Sequence, residues 1–232
     1  MRTLLLVSLL ALPAGGAGEV TAPRESRLTL NAALVEAAAS GNVARVRALL
    51  AHGASPAARR EDGRTALTAA ALGDHVSVAR LLVDAGADPD PQDRERNNAL
   101  LVTGETGSVA MLREVLRAGP DLTRTNRFGG TALIPAADRG HVEYVRELLK
   151  TGIDVDHVNT LGWTALLEAV ILGDGGPCHT EIVRLLLAAG ADPTIADRDE
   201  VTPLEHAKRR GYSGMVRLLR AAGARSGHMA SQ

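Results

Sequence analysis

Only four of the 232 residues are aromatic: Phe128, Tyr144, Trp163 and Tyr212. A core with so few rings must be filled by Ala, Leu and Val. That suits short, closely packed helices and argues against a β-sandwich, whose strands favour aromatic and β-branched side chains. There is a single cysteine, Cys178, so no intramolecular disulfide can form and stability rests on packing. Neither sign of charge is in surplus: 26 basic and 27 acidic residues leave a net charge of −1. Without a basic excess to neutralise phosphates, nucleic acid is not expected as a partner. The seven histidines are scattered, and neither C-x-x-C nor H-E-x-x-H spacing occurs. No metal site is therefore expected. A phosphate-cradling Gly-rich loop preceded by a strand, a nucleophile elbow and a paired-carboxylate motif are also missing. No cofactor and no catalytic activity are expected.

Long apolar runs are missing too, apart from the first residues, "MRTLLLVSLLALPAGGAGEV". One Arg precedes an apolar stretch from Leu4 to Leu12, and Pro13 precedes small residues. That is the three-part pattern of a secretory signal, with cleavage after Ala17 or Gly18. Residues 1–17 are expected to be a signal peptide and 18–30 a linker. The stretch is too short to span a bilayer. A periplasmic or secreted protein follows, without stable membrane insertion after cleavage.

What the chain does have is a period. The glycines that close its helical runs are Gly53, Gly86, Gly119, Gly152, Gly190 and Gly223, separated by 33, 33, 33, 38 and 33 residues. The residues that open the runs, Thr65, Asn98, Thr131, Thr164 and Thr202, are separated by 33, 33, 33 and 38. Two independent markers share one period and break it at one place. Each unit reads as an N-capping Thr, a short Ala-rich helix, a tight turn and a second helix with one apolar face, as in Val78, Leu81 and Leu82. A helix-ending Gly and an outward-pointing turn complete it. One such pair cannot bury its apolar face alone, so stacking must supply the core.

In period, in the "TPL" of Thr202–Leu204 and in the closing "GAD" of Gly86–Asp88 and Gly190–Asp192, the chain strongly resembles the ankyrin repeat. The resemblance covers residues 31–224 and implies an all-α solenoid of about six helix-turn-helix units with short β-like hairpin turns. The units are expected at 31–59, 60–92, 93–125, 126–158, 159–196 and 197–224, followed by a disordered tail, 225–232. The His that follows "TPL" in the family is replaced by Thr68, Leu101, Ile134, Leu167 and Glu205. The first unit, without Thr, and the last, rich in Arg, read as caps. The third reads as the weakest, with Asn98 for Thr, Gly104 inside a helix and Pro120 after the closing Gly. It is expected to open first in hydrogen exchange.

The resemblance further implies a monomer that binds a protein partner on the concave face, through hairpin positions and the ends of the first helices. Those positions include Arg64, Arg94, Arg127, Phe128, Arg139, Leu161, Trp163, Ile171 and Leu172. An apolar cluster ringed by Arg is the pattern of a binding hot spot. Another exported protein is the expected partner, in a role that assists or protects an envelope enzyme. The alternatives are a secreted effector that binds a host protein and, least favoured, an enzyme using Cys178.

The five extra residues of the fifth unit, "DGGPC" at 174–178, are expected to lengthen the turn between its helices, with Pro177 delaying the second. Cys178 and His179 are adjacent, and no Asp or Asn is clearly placed to orient the ring. His75, His141 and His179 share one repeat position, which points to a structural role.

Overall fold

A computed structural model describes residues 24–224, so the expected signal peptide and tail lie outside the described residues. Twelve helices follow one another among these residues, with no strand and one isolated antiparallel bridge, Arg59 to Thr65. The first helices of the units are α1 (Arg24–Ala39), α3 (Ala66–Leu72), α5 (Ala99–Thr106), α7 (Leu133–Asp138), α9 (Ala165–Ile171) and α11 (Pro203–Arg209). The second helices are α2 (Val43–Ala51), α4 (Val76–Asp84), α6 (Val109–Arg117), α8 (Val142–Leu148), α10 (Pro177–Ala188) and α12 (Ser213–Ala221). Each first helix packs on the next first helix and each second on the next second. The result is an all-α repeat solenoid. No described helix is long and apolar enough to cross a membrane.

The core is aliphatic and continuous from Leu34 to Leu219, as the composition requires, with Val78 and Leu82 fully buried and Leu81 partly so. Tyr144 is the one aromatic sealed inside it. Its hydroxyl donates to Thr103 Oγ1 at 2.8 Å, because the Thr103 hydroxyl already donates to the Leu100 carbonyl. Burial pushes the Tyr144 phenol far above its usual range, so it stays neutral and satisfied.

Neighbouring units are also joined by polar side chains at a fixed repeat position. His75, His141 and His179 donate from Nε2 to the carbonyls of Ala39, Glu105 and Asp138 at 3.0, 3.1 and 2.8 Å. Tyr212 does the same to Gly173 at 2.9 Å. The structural role expected of these histidines is therefore a bond to the end of the preceding unit's first helix. On the outer row, Arg80–Glu114, Arg113–Glu147, Arg146–Glu181 and Arg117–Asp84 pair charges between successive units.

Several local expectations need correction. The first helix starts at Arg24, so residues 24–30 extend it rather than forming a linker. Gly152 is not left-handed, unlike the other closing glycines; Thr151 Oγ1 donates to the Leu148 carbonyl there instead. The insertion lengthens the second helix as well as the turn. Pro177 is the first helical residue of α10, and Cys178 and His179 lie in its first turn. Proline fits there because a helix start has no acceptor for that N–H and proline's φ is preset. Residues at the family's His position are satisfied in other ways. Thr68 bonds Thr65, Glu205 closes a capping box with Thr202, and Leu101, Ile134 and Leu167 are simply buried.

Four of the five opening residues cap their helices as expected: Thr65, Asn98, Thr164 and Thr202. Thr131 does not. In the other four units the N–H four residues on bonds the opening residue's carbonyl, from Ala69, Val102, Glu168 and His206. In the fourth unit that residue is Pro135, which has no N–H. The turn tightens, so that Ile134 N–H bonds the Thr131 carbonyl and α7 begins late, at Leu133. Thr131 Oγ1 is left buried without a partner.

Asn98 caps α5 through Oδ1 on Leu101 N–H at 2.9 Å, yet its Nδ2 is buried and unpaired. A Thr there would keep the cap and remove the orphan donor. Asn98→Thr is expected to stabilise the protein by about 1 kcal/mol, the lower range for relieving a buried unsatisfied group, read from the urea midpoint.

Candidate functional site

The hairpins that precede the first helices are built alike. Backbone bonds close them from Asp93 to Asn97, Asn126 to Gly130, Asn159 to Trp163 and Asp197 to Val201. In each, the Oδ1 of the first residue accepts two backbone N–H groups, as Asn159 does from Leu161 and Trp163 at 2.9 and 3.0 Å. The side chain thus replaces a strand partner and holds the loop tip rigid. Adjacent hairpins are joined by Arg94 N–H to the Asp62 carbonyl and Thr160 N–H to the Phe128 carbonyl.

Between the hairpins and first helices of the fourth and fifth units lies a cleft of about 270 Å³. Phe128 and Leu161, at the two hairpin tips, form its rim and are 54% and 50% exposed. Ile134 and Pro135 of α7 line it with Asn126 and Asn159. Its charged groups are Glu105 from the end of α5, Asp138 and Arg139 from the end of α7, and Glu168 from α9.

Glu168 is only 6% exposed. Asn159, its Oδ1 held by the hairpin, must present its NH2 group and donates it to Glu168 Oε1 at 2.8 Å. Glu168 Oε2 has no hydrogen-bond partner among the described residues. Burial, reinforced by the negative charge of Asp138 and opposed by the Asn159 bond, pushes the Glu168 carboxyl up to about 7. It therefore changes charge near neutrality, well above the usual carboxylate range. No salt bridge among the described residues involves Glu105, Asp138, Glu168 or Arg139. The corresponding cap+4 positions hold Ala69, Val102, Pro135 and His206.

The nine residues expected to bind a partner do not all meet. Phe128, Leu161 and Arg139 share the cleft. Arg127 lies over the Phe128 ring, 4.8 Å from its centroid, and pairs with Glu95. Trp163 is half-buried and does not line the cleft; Leu172 is 51% exposed but also lies outside it. Ile171 is 9% exposed and is corrected to a buried position. It is the last residue of α9, so one further step around the helix turns Leu172 outward and Ile171 in. Arg64 is tied to the buried Asp93 at 3.5 Å. Arg94 borders a separate hollow beside α1, where Arg60 pairs with Glu36. Asn159 and Glu168 were missed. The one available signal was a glutamate at a first-helix position filled by Ala, Val or Pro in other units.

The Cys178 reading loses its base. Asp174 Oδ1 lies 3.0 Å from His179 Nδ1, so an orienting Asp is present after all, but His179 Nε2 is committed to the Asp138 carbonyl. Neither ring nitrogen is left for the exposed thiol. Among the described residues no cluster of three or more His, Cys, Asp or Glu is arranged to hold a metal.

A stack of two-helix units that presents hairpin tips and first helices along one face is a helical-repeat scaffold. The family model for ankyrin repeats (3 copies) matches residues 6–93 and 100–197. An ankyrin repeat domain from Acinetobacter baumannii AYE is 48% identical, with a TM-score of 0.80 over 83% of this chain and 98% of that one. The ankyrin repeat domain of Bcl-3, a member of the IκB family, is 31% identical with a TM-score of 0.73, over 83% and 86% of the two chains. The ankyrin repeat protein YahD of Escherichia coli (strain K12) is 49% identical over 57 residues, 25% of this chain and 28% of YahD's own length. The chain belongs to the ankyrin repeat family. Ankyrin repeats are generally protein–protein interaction modules.

Proposed function

We propose that this protein is a non-catalytic binding module that acts as a monomer and grips another exported protein with its hairpin-and-first-helix face. The observation that carries this reading is the pair Phe128 and Leu161, two large apolar side chains half in solvent on adjacent hairpin tips. Nothing in the core needs them there, and rigid exposed anchors of this kind dominate protein interfaces. Export rests on the charged, apolar and small-residue pattern at the N-terminus. That segment overlaps the family match, which begins at residue 6. A role in assisting or protecting an envelope enzyme is carried over from the resemblance to stand-alone ankyrin-repeat modules alone.

Phe128→Ala and Leu161→Ala are each expected to weaken partner binding by about 2 kcal/mol, close to 30-fold. Exposed as they are, their loss should move the melting temperature little. Binding is read by capture from a periplasmic extract and then by titration of the captured protein. Undiminished capture by the double variant would end this reading. A fusion to a reporter active only outside the cytoplasm tests export separately.

A further inference from the structure

The cleft holds three carboxyl groups, from Glu105, Asp138 and Glu168, against a single guanidinium, Arg139. This contrasts with the outer helices. There Glu114, Glu147 and Glu181 each bond two basic side chains, and Asp84 bonds Arg117. Along that row the fold neutralises its own acids; in the cleft, Glu105, Asp138 and Glu168 form no ion pair with a described residue.

An acidic cluster alone would not make a site. Glu168 adds an independent observation, because it is more than nine-tenths buried, lines the cleft and has an oxygen without a hydrogen bond. With one oxygen bonded by Asn159 and the other left to the cleft, the Glu168 carboxylate is poorly stabilised by the protein itself, and an incoming donor or cation would stabilise it. The cleft's shape narrows the occupant. At about 270 Å³ it falls just under the range of roughly 300–1,000 Å³ typical of small-molecule pockets, and suits one long side chain. Phe128 and Leu161 are exposed at its rim, whereas the Glu168 carboxyl is buried within it. A basic side chain has the same order, an aliphatic stem followed by a charged head.

We infer that the cleft receives one arginine or lysine side chain of the protein partner, its stem against Phe128 and Leu161 and its cation between Glu168 and Asp138. This rests on the proposed binding face and specifies what that face recognises. Bound charge holds Glu168 ionised, so recognition strengthens as the pH rises through neutrality. Asp138 opposes that ionisation in the free protein, and Glu105 and Arg139 face the same space with opposite signs.

The test uses defined probes on the full chain. Acetyl-arginine amide, acetyl-lysine amide and the neutral acetyl-citrulline amide are titrated into isotope-labelled protein, following the Asn159 side-chain NH2 and the backbone amides of Phe128, Leu161 and Glu168. The expected result is a saturable shift at these groups with arginine, lysine or both. It should be at least tenfold weaker with citrulline, weaker at pH 5.5 than at pH 8, and reduced at least tenfold in Glu168→Gln. Equal response to citrulline, indifference to Glu168→Gln or no saturable shift would overturn the inference. The two readings separate in the capture assay. If Phe128→Ala and Leu161→Ala lose the partner while Glu168→Gln retains it at full affinity, the binding face stands and the basic-side-chain site falls.

Discussion

At pH 8 the Glu168→Gln variant is expected to be more stable than the wild type, while binding its partner less well. The folded-state value of about 7 lies above the ordinary value of 4.5, the reverse of a salt-bridged carboxylate. Between those two values the folded protein holds a proton that the unfolded chain has released. Stability therefore falls as the pH rises through this window, and the loss is complete above about 7. A shift of that size corresponds to a few kcal/mol, so removing the charge should contribute about 2–3 kcal/mol at pH 8, or roughly 5–10 °C in Tm. Glutamine retains an Oε1 to accept from Asn159 Nδ2, so the bond at 2.8 Å need not be lost. At pH 4 the two proteins should melt together, because both are then neutral at this position. Melting curves at pH 4, 6 and 8 check the sign, and a variant less stable than wild type at pH 8 would contradict it. If Glu168 served packing alone, stability and binding would change together; opposite changes mark a residue kept for function at a cost to the fold.

The period of the chain was legible because it is written twice, in capping residues and in closing glycines, and each marker has a local physical cause. Which residues face the cleft was only partly legible. Phe128, Leu161 and Arg139 follow from their register on the hairpins and helix ends. Glu168 does not, since its significance depends on Asn159 reaching across from the hairpin and on Asp138 approaching from the neighbouring unit. Those contacts are nine residues and a whole repeat away in sequence. Ile171 and Leu172 show the limit of register itself, because moving a helix end by one residue exchanges inside for outside. Pro177 shows a different limit. The same ring that breaks a helix interior is well suited to its first position, and the sequence does not say where the helix begins.

Gly104→Ala is expected to destabilise the protein strongly, against the ordinary effect of that exchange. Inside an exposed helix, replacing Gly by Ala stabilises by about 1 kcal/mol, and on that scale Gly104 reads as a weakness of the third unit. In the folded protein a Cβ at Gly104 would lie 2.3 Å from the carbonyl oxygen of Ala132 and 3.0 Å from its carbonyl carbon and Cα. These are backbone atoms of the next unit, so no rotamer change can relieve the overlap; α5 and α7 must move apart. Overpacking of this kind costs about 1–3 kcal/mol or more, and a net loss near 3 kcal/mol in urea melts is the expected result. The corresponding residues of the other units that open on Thr are Ala71, Ala137, Val170 and Lys208, so the demand for glycine belongs to this interface alone. The late start of α7, where Pro135 has no N–H to bond the Thr131 carbonyl and Ala132 stands ahead of the helix as its cap, offers a cause. If that is the cause, Pro135→Ala should restore the ordinary start and recover part of the loss caused by Gly104→Ala, a coupling that a double-mutant cycle measures directly. Simple additivity would instead show that the approach of the two helices has another origin. Pro135 also lines the cleft, so a coupling of that kind would tie the tight junction at Gly104 and the floor beneath Phe128 and Leu161 to one irregular helix start.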